Sequence, residues 1–210
     1  MSHDEARLLA ALAEAGFPIS SVTAIRDQYD SLPSSLAVLL LEWIPRLEER
    51  RLEDRRLQES LAWALLAARS GTLDGAALAE LFDAATDDDL KRAIASVINQ
   101  TRPRNIDEWL IAAVRDQRPG ASSVIGGLAA AVAKMLPRER AMPVLLEVFH
   151  DAPLAAVHPL GKVGDSGVRD VLAAALPTAT GPLRRELRQA IARIERRLAK
   201  TLRKTRGAMP

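Results

Sequence analysis

One apolar hexad recurs along this chain: Leu39 to Ile44 (LLLEWI), Ala77 to Phe82 (ALAELF), Trp109 to Val114 (WLIAAV), Val144 to Phe149 (VLLEVF) and Val171 to Leu176 (VLAAAL). The starts lie 38, 32, 35 and 27 residues apart, so the repeat is real but irregular. Each hexad is followed by a polar or Gly/Pro break and then by a second patterned segment: Asp54 to Arg69, Asp88 to Asn99, Ser122 to Leu136, Pro153 to Val163 and Pro182 to Leu202. Within these segments apolar residues return every three or four positions, as in Leu57, Leu61, Ala64, Leu65 and Ala68, in Leu90, Ile94, Val97 and Ile98, or in Leu183, Leu187, Ile191, Ile194 and Leu198. That spacing puts them on one face of a helix.

The pattern predicts five helix pairs, preceded by two helices over Asp4 to Ala15 and Ser20 to Tyr29 that close the apolar end of the stack. Helix starts are marked by Thr86 and Asp87, by Asp107, by Asp165 or Ser166, and by Pro137, Pro153 and Pro182, whose missing N–H costs nothing in a first turn. Gly16, Gly71, Gly120 and Gly181 punctuate the breaks. No alternating run flanked by an Asn-Gly turn occurs, so no sheet is expected. The expected core is Leu40, Leu61, Leu81, Ile94, Leu110, Val132, Leu145, Leu160, Leu172 and Ile191. Residues 1–210 read as one domain: capping helices at 1–32, repeats at 33–180, a C-terminal capping helix at 181–202 and a basic, disordered tail at 203–210.

Composition sharpens this picture. The chain has 210 residues, 48% of them hydrophobic but only 3% aromatic, so Ala, Leu, Val and Ile must fill the core, which favours helix. Cysteine is absent, which removes disulfides, thiolate metal sites and cysteine nucleophiles and suits a reducing, cytoplasmic setting. No run of 18 uncharged apolar residues exists, and Asp4, Glu5, Arg7 and Glu14 interrupt the N-terminal stretch. Neither a membrane span nor a signal peptide is expected.

The net charge of +2 conceals an asymmetry. Residues 181–210 hold ten Lys or Arg against Glu186 and Glu195, a local +8, which leaves −6 for the first 180. A basic end on an acidic body can attract nucleic acid, an acidic protein surface or the body of a neighbouring copy.

The stretch from Ala141 to Glu195, AMPVLLEVFHDAPLAAVHPLGKVGD leading into SGVRDVLAAAL, resembles two consecutive HEAT or HEAT-like repeats of the kind shared with the phycobilin-lyase-type repeat proteins of bacteria. Leu160-Gly161-Lys162-Val163-Gly164-Asp165 is similar to that family's turn between one repeat and the next. The likeness is weaker over 33–136, and it departs from the family at Pro159 and at Gly126-Gly127, where helices can bend. What the resemblance implies is an all-α fold, an α-α superhelix or HEAT-like α-solenoid. We expect about six antiparallel helix pairs in a right-handed stack. No chemistry is implied, since such repeats serve as scaffolds, adaptors, cofactor-handling accessories and, in some members, DNA-repair enzymes.

Motifs for catalysis are absent. His3, His150 and His158 are the only histidines, and no second ligand stands four residues after His150 or His158; no metal or cofactor is expected. Gly164-Asp165-Ser166-Gly167 reads as a capped turn, not a nucleophile elbow. Ser122 to Gly127 lacks the Lys-Ser/Thr ending of a phosphate loop, and its Gly pair reads as a place for close helix packing. Asp87-Asp88-Asp89 is explained by capping and the helix dipole, and the mixed charges from Glu48 to Arg56 by a solvated edge. Trp43 and Trp109 fall on packed faces. Trp63 falls away from the packed face of its helix, beside Glu59, the one carboxylate available to a groove.

The same wheel on each second helix leaves Glu59, Trp63, Leu66, Arg92, Ser96, Asn99, Lys134, His158, Lys162, Gln189, Arg193 and Arg196 off the packed face. Cationic residues dominate this stripe, as a concave surface for an acidic ligand would require, although exposed helix faces carry charge in any case. The expected function is that of a non-catalytic binding module or scaffold, not an enzyme. Its concave face takes a protein partner with an acidic segment, through Trp63, Arg92, Lys134, Lys162 and Arg193. The alternatives are nucleic-acid binding through the stripe and the basic terminal helix, and service as an accessory that handles a cofactor or an enzyme assembly.

Overall fold

Asp74, Asp87 and Asp165 each stand one residue ahead of a helix and accept backbone N–H groups from Ala76, Asp89 and Val168, satisfying donors that the first turn leaves unpaired. Pro137 precedes a helix, and Pro153 and Pro182 lie in first turns. The computed structural model describes residues 3–47, 51–116 and 122–206. Among them run α1 (His3–Glu14), α2 (Ala24–Gln28), α3 (Ser34–Trp43), α4 (Leu52–Ala64), α5 (Gly75–Ala84), α6 (Asp88–Thr101), α7 (Asp107–Arg115), α8 (Ser122–Met135), α9 (Arg138–Asp151), α10 (Pro153–Val163), α11 (Ser166–Ala175) and α12 (Gly181–Arg206). Single 3-10 turns follow α3 at Ile44–Arg46 and α4 at Leu65–Ala67.

The protein is all-α. Among the described residues the only β pairing is an isolated bridge between Leu32 and Ala68, where the Leu32 N–H reaches the Ala67 carbonyl at 2.9 Å. The helix expected over Ser20 to Tyr29 shrinks to five residues. Ser21 and Thr23 hydroxyls pair at 3.0 Å and Ser21 Oγ accepts the Ala24 N–H, so local side-chain bonds replace the first helical turn.

The chain forms two compact units, Met1–Trp109 and Leu110–Pro210. In the first, α4 packs on α6 and α3, and α5 on α6, around Leu36, Leu40, Leu61, Leu78, Phe82 and Ile98. Gln58 is buried there and donates from Nε2 to the carbonyls of Ile44 at 3.1 Å and Leu47 at 3.0 Å, tying the turn after α3 to α4. In the second, α10 packs against α8, α9, α11 and α12, with Leu128, Val132, Leu145, Leu160, Leu172 and Leu187 fully buried.

Nine of the ten expected core residues are buried; Ile191 is only half-buried, and Leu187, Ala190 and Ile194 form the buried stripe of α12 instead. Gly126 does not mediate close packing, since a Cβ there would meet nothing within 4 Å. Gly161 does, because a Cβ there would lie 2.9 Å from Ala190 Cβ. Pro159 and Pro143 sit inside α10 and α9, which continue through them. Helix α12 runs to Arg206, so 203–206 are helical and not a tail. Gly120, the charges of Glu48, Glu49 and Arg50, and residues 207–210 lie outside the described residues.

Candidate functional site

In the first unit, packing of α4 on α6 brings Glu59 and Trp63, one turn apart on α4, against Asp89 and Arg92, one turn apart on α6. Trp63 Nε1 donates to Glu59 Oε1 at 3.0 Å. The Arg92 guanidinium lies 5.8 Å from the Trp63 ring centroid, 3.6 Å from Glu59 and 3.0 Å from Asp89. Trp63 is therefore half-buried beneath a cation, not exposed as its wheel position suggested. Arg92 is a neutralised member of a closed cluster, so it adds no single positive charge to a stripe. Glu59 is held by both neighbours, which fixes it as an acceptor.

The other tryptophans behave as core-associated residues. Trp43 is buried, with Arg46 stacked 5.4 Å from its centroid. Trp109 is half-buried, edge-on to Phe82 with centroids 5.4 Å apart, and its Nε1 donates to Asp83 at 3.0 Å.

In the second unit the close approach at Gly161 sets α10 directly on α12, and two cations, Lys162 and Arg193, gather at that seam around His158. Arg193 Nη1 is 3.4 Å from His158 Nδ1, and Lys162, one turn beyond His158, is exposed. The surroundings push His158 below the ordinary imidazole value of 6.5: partial burial contributes most, then the charges of Lys162 and Arg193, with Glu186 opposing. No Asp or Glu forms an ion pair with Lys162 or Arg193 among the described residues. Lys134 is half-buried and engaged in its own contacts, so it is not the solvent-facing charge the wheel predicted.

Arg197 belongs to the same seam, although its place in the sequence marks it only as one of the basic residues of the terminus. Its guanidinium donates to the carbonyls of Gly161, Lys162 and Gly164 at the end of α10, where the unpaired carbonyls carry the negative end of the helix dipole. Burial and the nearby charges of Arg138 and Arg193 lower its pKa. Nothing in the spacing of arginines along α12 separates this carbonyl clamp from the solvated ones; only the placement of α10 does.

Among the described residues no group of three or more His, Asp or Glu side chains is arranged to hold a metal ion. Asp87 and Asp165 are occupied as helix caps, and His150 and Asp151 are exposed at the end of α9. No described helix is long and apolar enough to cross a membrane. No family model, curated protein or solved structure matches this chain.

Proposed function

We propose that this chain is a non-catalytic binding module of the HEAT-like α-solenoid type, built of about six antiparallel helix pairs. It takes a protein partner with an acidic segment on the face carried by the second helices of its pairs. The observation that carries this reading is the seam of α10 and α12, where His158, Lys162 and Arg193 stand together without a carboxylate ion pair among the described residues. Like charges held together favour an anionic ligand, whose carboxylates would relieve their repulsion. In the first unit the Arg92 charge beside Trp63 is already paired with Glu59 and Asp89; the second unit supplies the charge.

The chemistry favours binding over catalysis. The Glu59 carboxylate, the one acid among the stripe residues, is taken up by Trp63 and Arg92 as a hydrogen-bond and charge partner. Nucleic acid is the second reading, favoured by the exposed Arg184, Arg185, Arg188, Arg196 and Lys200 along α12.

The two separate by fluorescence anisotropy with a labelled Glu/Asp-rich peptide and a labelled mixed-sequence DNA duplex. Peptide binding that Lys162→Glu with Arg193→Glu abolishes, with helicity retained, supports the protein reading. A preference for the duplex that collapses steeply between low and physiological salt supports the nucleic-acid reading. Binding of neither probe counts against both.

A further inference from the structure

A cavity of about 460 Å³ opens on the surface of the first unit between α3 and α5. Its floor is apolar, made by Val38, Leu41, Ala77 and Leu81, and Val38 is 43% exposed. Three carboxylates stand at its mouth, Glu42, Asp74 and Glu80, all on exposed residues. Asp74 caps α5 through the Ala76 N–H and Glu42 lies 3.7 Å from Arg46, yet neither Lys nor Arg lines the cavity among the described residues. An acidic mouth is not a general result of stacking these helices. The groove between α9 and α11 in the second unit is lined by Leu146, Phe149 and Val171 with His150 and, among the described residues, no carboxylate.

An apolar floor with anionic edges fits an amphipathic helix whose apolar stripe is flanked by cations. The end of α12 has that chemistry. With 26 residues it spans about 39 Å and is more than twice as long as α10 or α11, the helices it packs on. Ile194 is the last of its described residues to be fully buried. Beyond it Leu198 continues the apolar stripe half-buried, while Arg196, Lys200 and Arg203 are exposed at a spacing that places them on one side of the helix. The units themselves carry opposite charge: residues 1–109 sum to −7 and residues 110–210 to +9.

We propose that the acidic groove between α3 and α5 receives the projecting basic end of α12 from a second copy of this chain. The contact joins different surfaces of the two copies and is therefore head to tail, building rings or open chains according to the rotation it imposes. It is independent of the seam assigned to an acidic partner, because the groove lies on the first unit and Lys162 and Arg193 take no part in it.

Sedimentation velocity on the full chain over a concentration series tests it. The expected result is reversible association at low salt that retreats toward monomer as screening rises, the Debye length shrinking to about 8 Å at physiological ionic strength. Glu42→Lys with Glu80→Lys, and separately Lys200→Glu with Arg203→Glu, should each weaken association by about tenfold or more. Mixing the two variants should restore it, because each reversed groove then meets a reversed helix end. All four side chains are exposed, and circular dichroism reports whether each variant keeps its helices; were the groove variant to lose them, the α12 variant and Val38→Asp read the same contact from both sides. A chain that stays monomeric throughout the series overturns the proposal, as does association indifferent to the reversals or a mixture that stays apart.

Discussion

Asp165 accepts the Val168 N–H at 3.0 Å, and that bond, with the charge of Arg138 in support, holds its carboxyl below the ordinary carboxylate range. A depressed folded-state pKa contributes stability that is present above the unfolded value and lost as pH falls through the folded one. Asp165→Ala should therefore cost about 1 kcal/mol at neutral pH, with the difference from the parent protein shrinking in acid, as chemical denaturation at two pH values would show. His158 works in the same sense at higher pH: its lowered pKa removes stability as pH falls below 6.5. An acidic ligand on the seam would raise that pKa, so peptide affinity should increase as pH falls into the range where His158 takes up its proton, which lies below 6.5 in the free protein. His158→Gln should flatten that dependence, and a profile that stays steep would place the titrating group elsewhere.

Among helices, two glycines that look alike in sequence separate into opposite predictions. At Gly161 a methyl group would lie 2.9 Å from Ala190 Cβ and 3.0 Å from Ala190 Cα, so Gly161→Ala must push α10 off α12 at a cost of about 1–3 kcal/mol. At Gly126 the space is open, and Gly126→Ala should stabilise α8 by up to about 1 kcal/mol through helix propensity alone. Thermal melts of the pair check both signs. Deleting 203–210 should leave the melting temperature of the monomer nearly unchanged, since no described residue of α12 beyond Ile194 is fully buried; a large drop would show that the helix end is docked within its own chain.

At the scale of each unit, protection should follow packing. In the second unit α10 is covered by four helices and buries Ala156, Val157, Leu160 and Gly161, so hydrogen exchange monitored by mass spectrometry should find its amides among the slowest. In the first, α4 and α6 should outlast α2, which has five residues and one buried side chain. Rapid exchange across α10 with protection at the end of α12 would contradict this ordering. The opposite charges of the two units, −7 and +9, also belong to this scale, and they make salt a strong variable in any association of the protein.

The apolar period by itself determined that the chain is helical and where most helices lie, because burial of one face every three or four residues is a local, one-dimensional constraint. Capping was legible for the same reason: Asp87 and Asp165 act on N–H groups two or three residues ahead of them. Contacts between distant residues were not. The sequence showed Arg92 and Lys134 as stripe cations, and only the tertiary structure set Arg92 between Glu59 and Asp89 and engaged Lys134 in contacts of its own. Likewise Arg197 became a clamp on the carbonyls of α10, 33 to 36 residues away, and Gln58 a tie to the turn after α3. A side chain's periodic position tells which face of its own helix it occupies, but its charge state and partners depend on what the neighbouring helix brings to that face, and helix packing alone decides that.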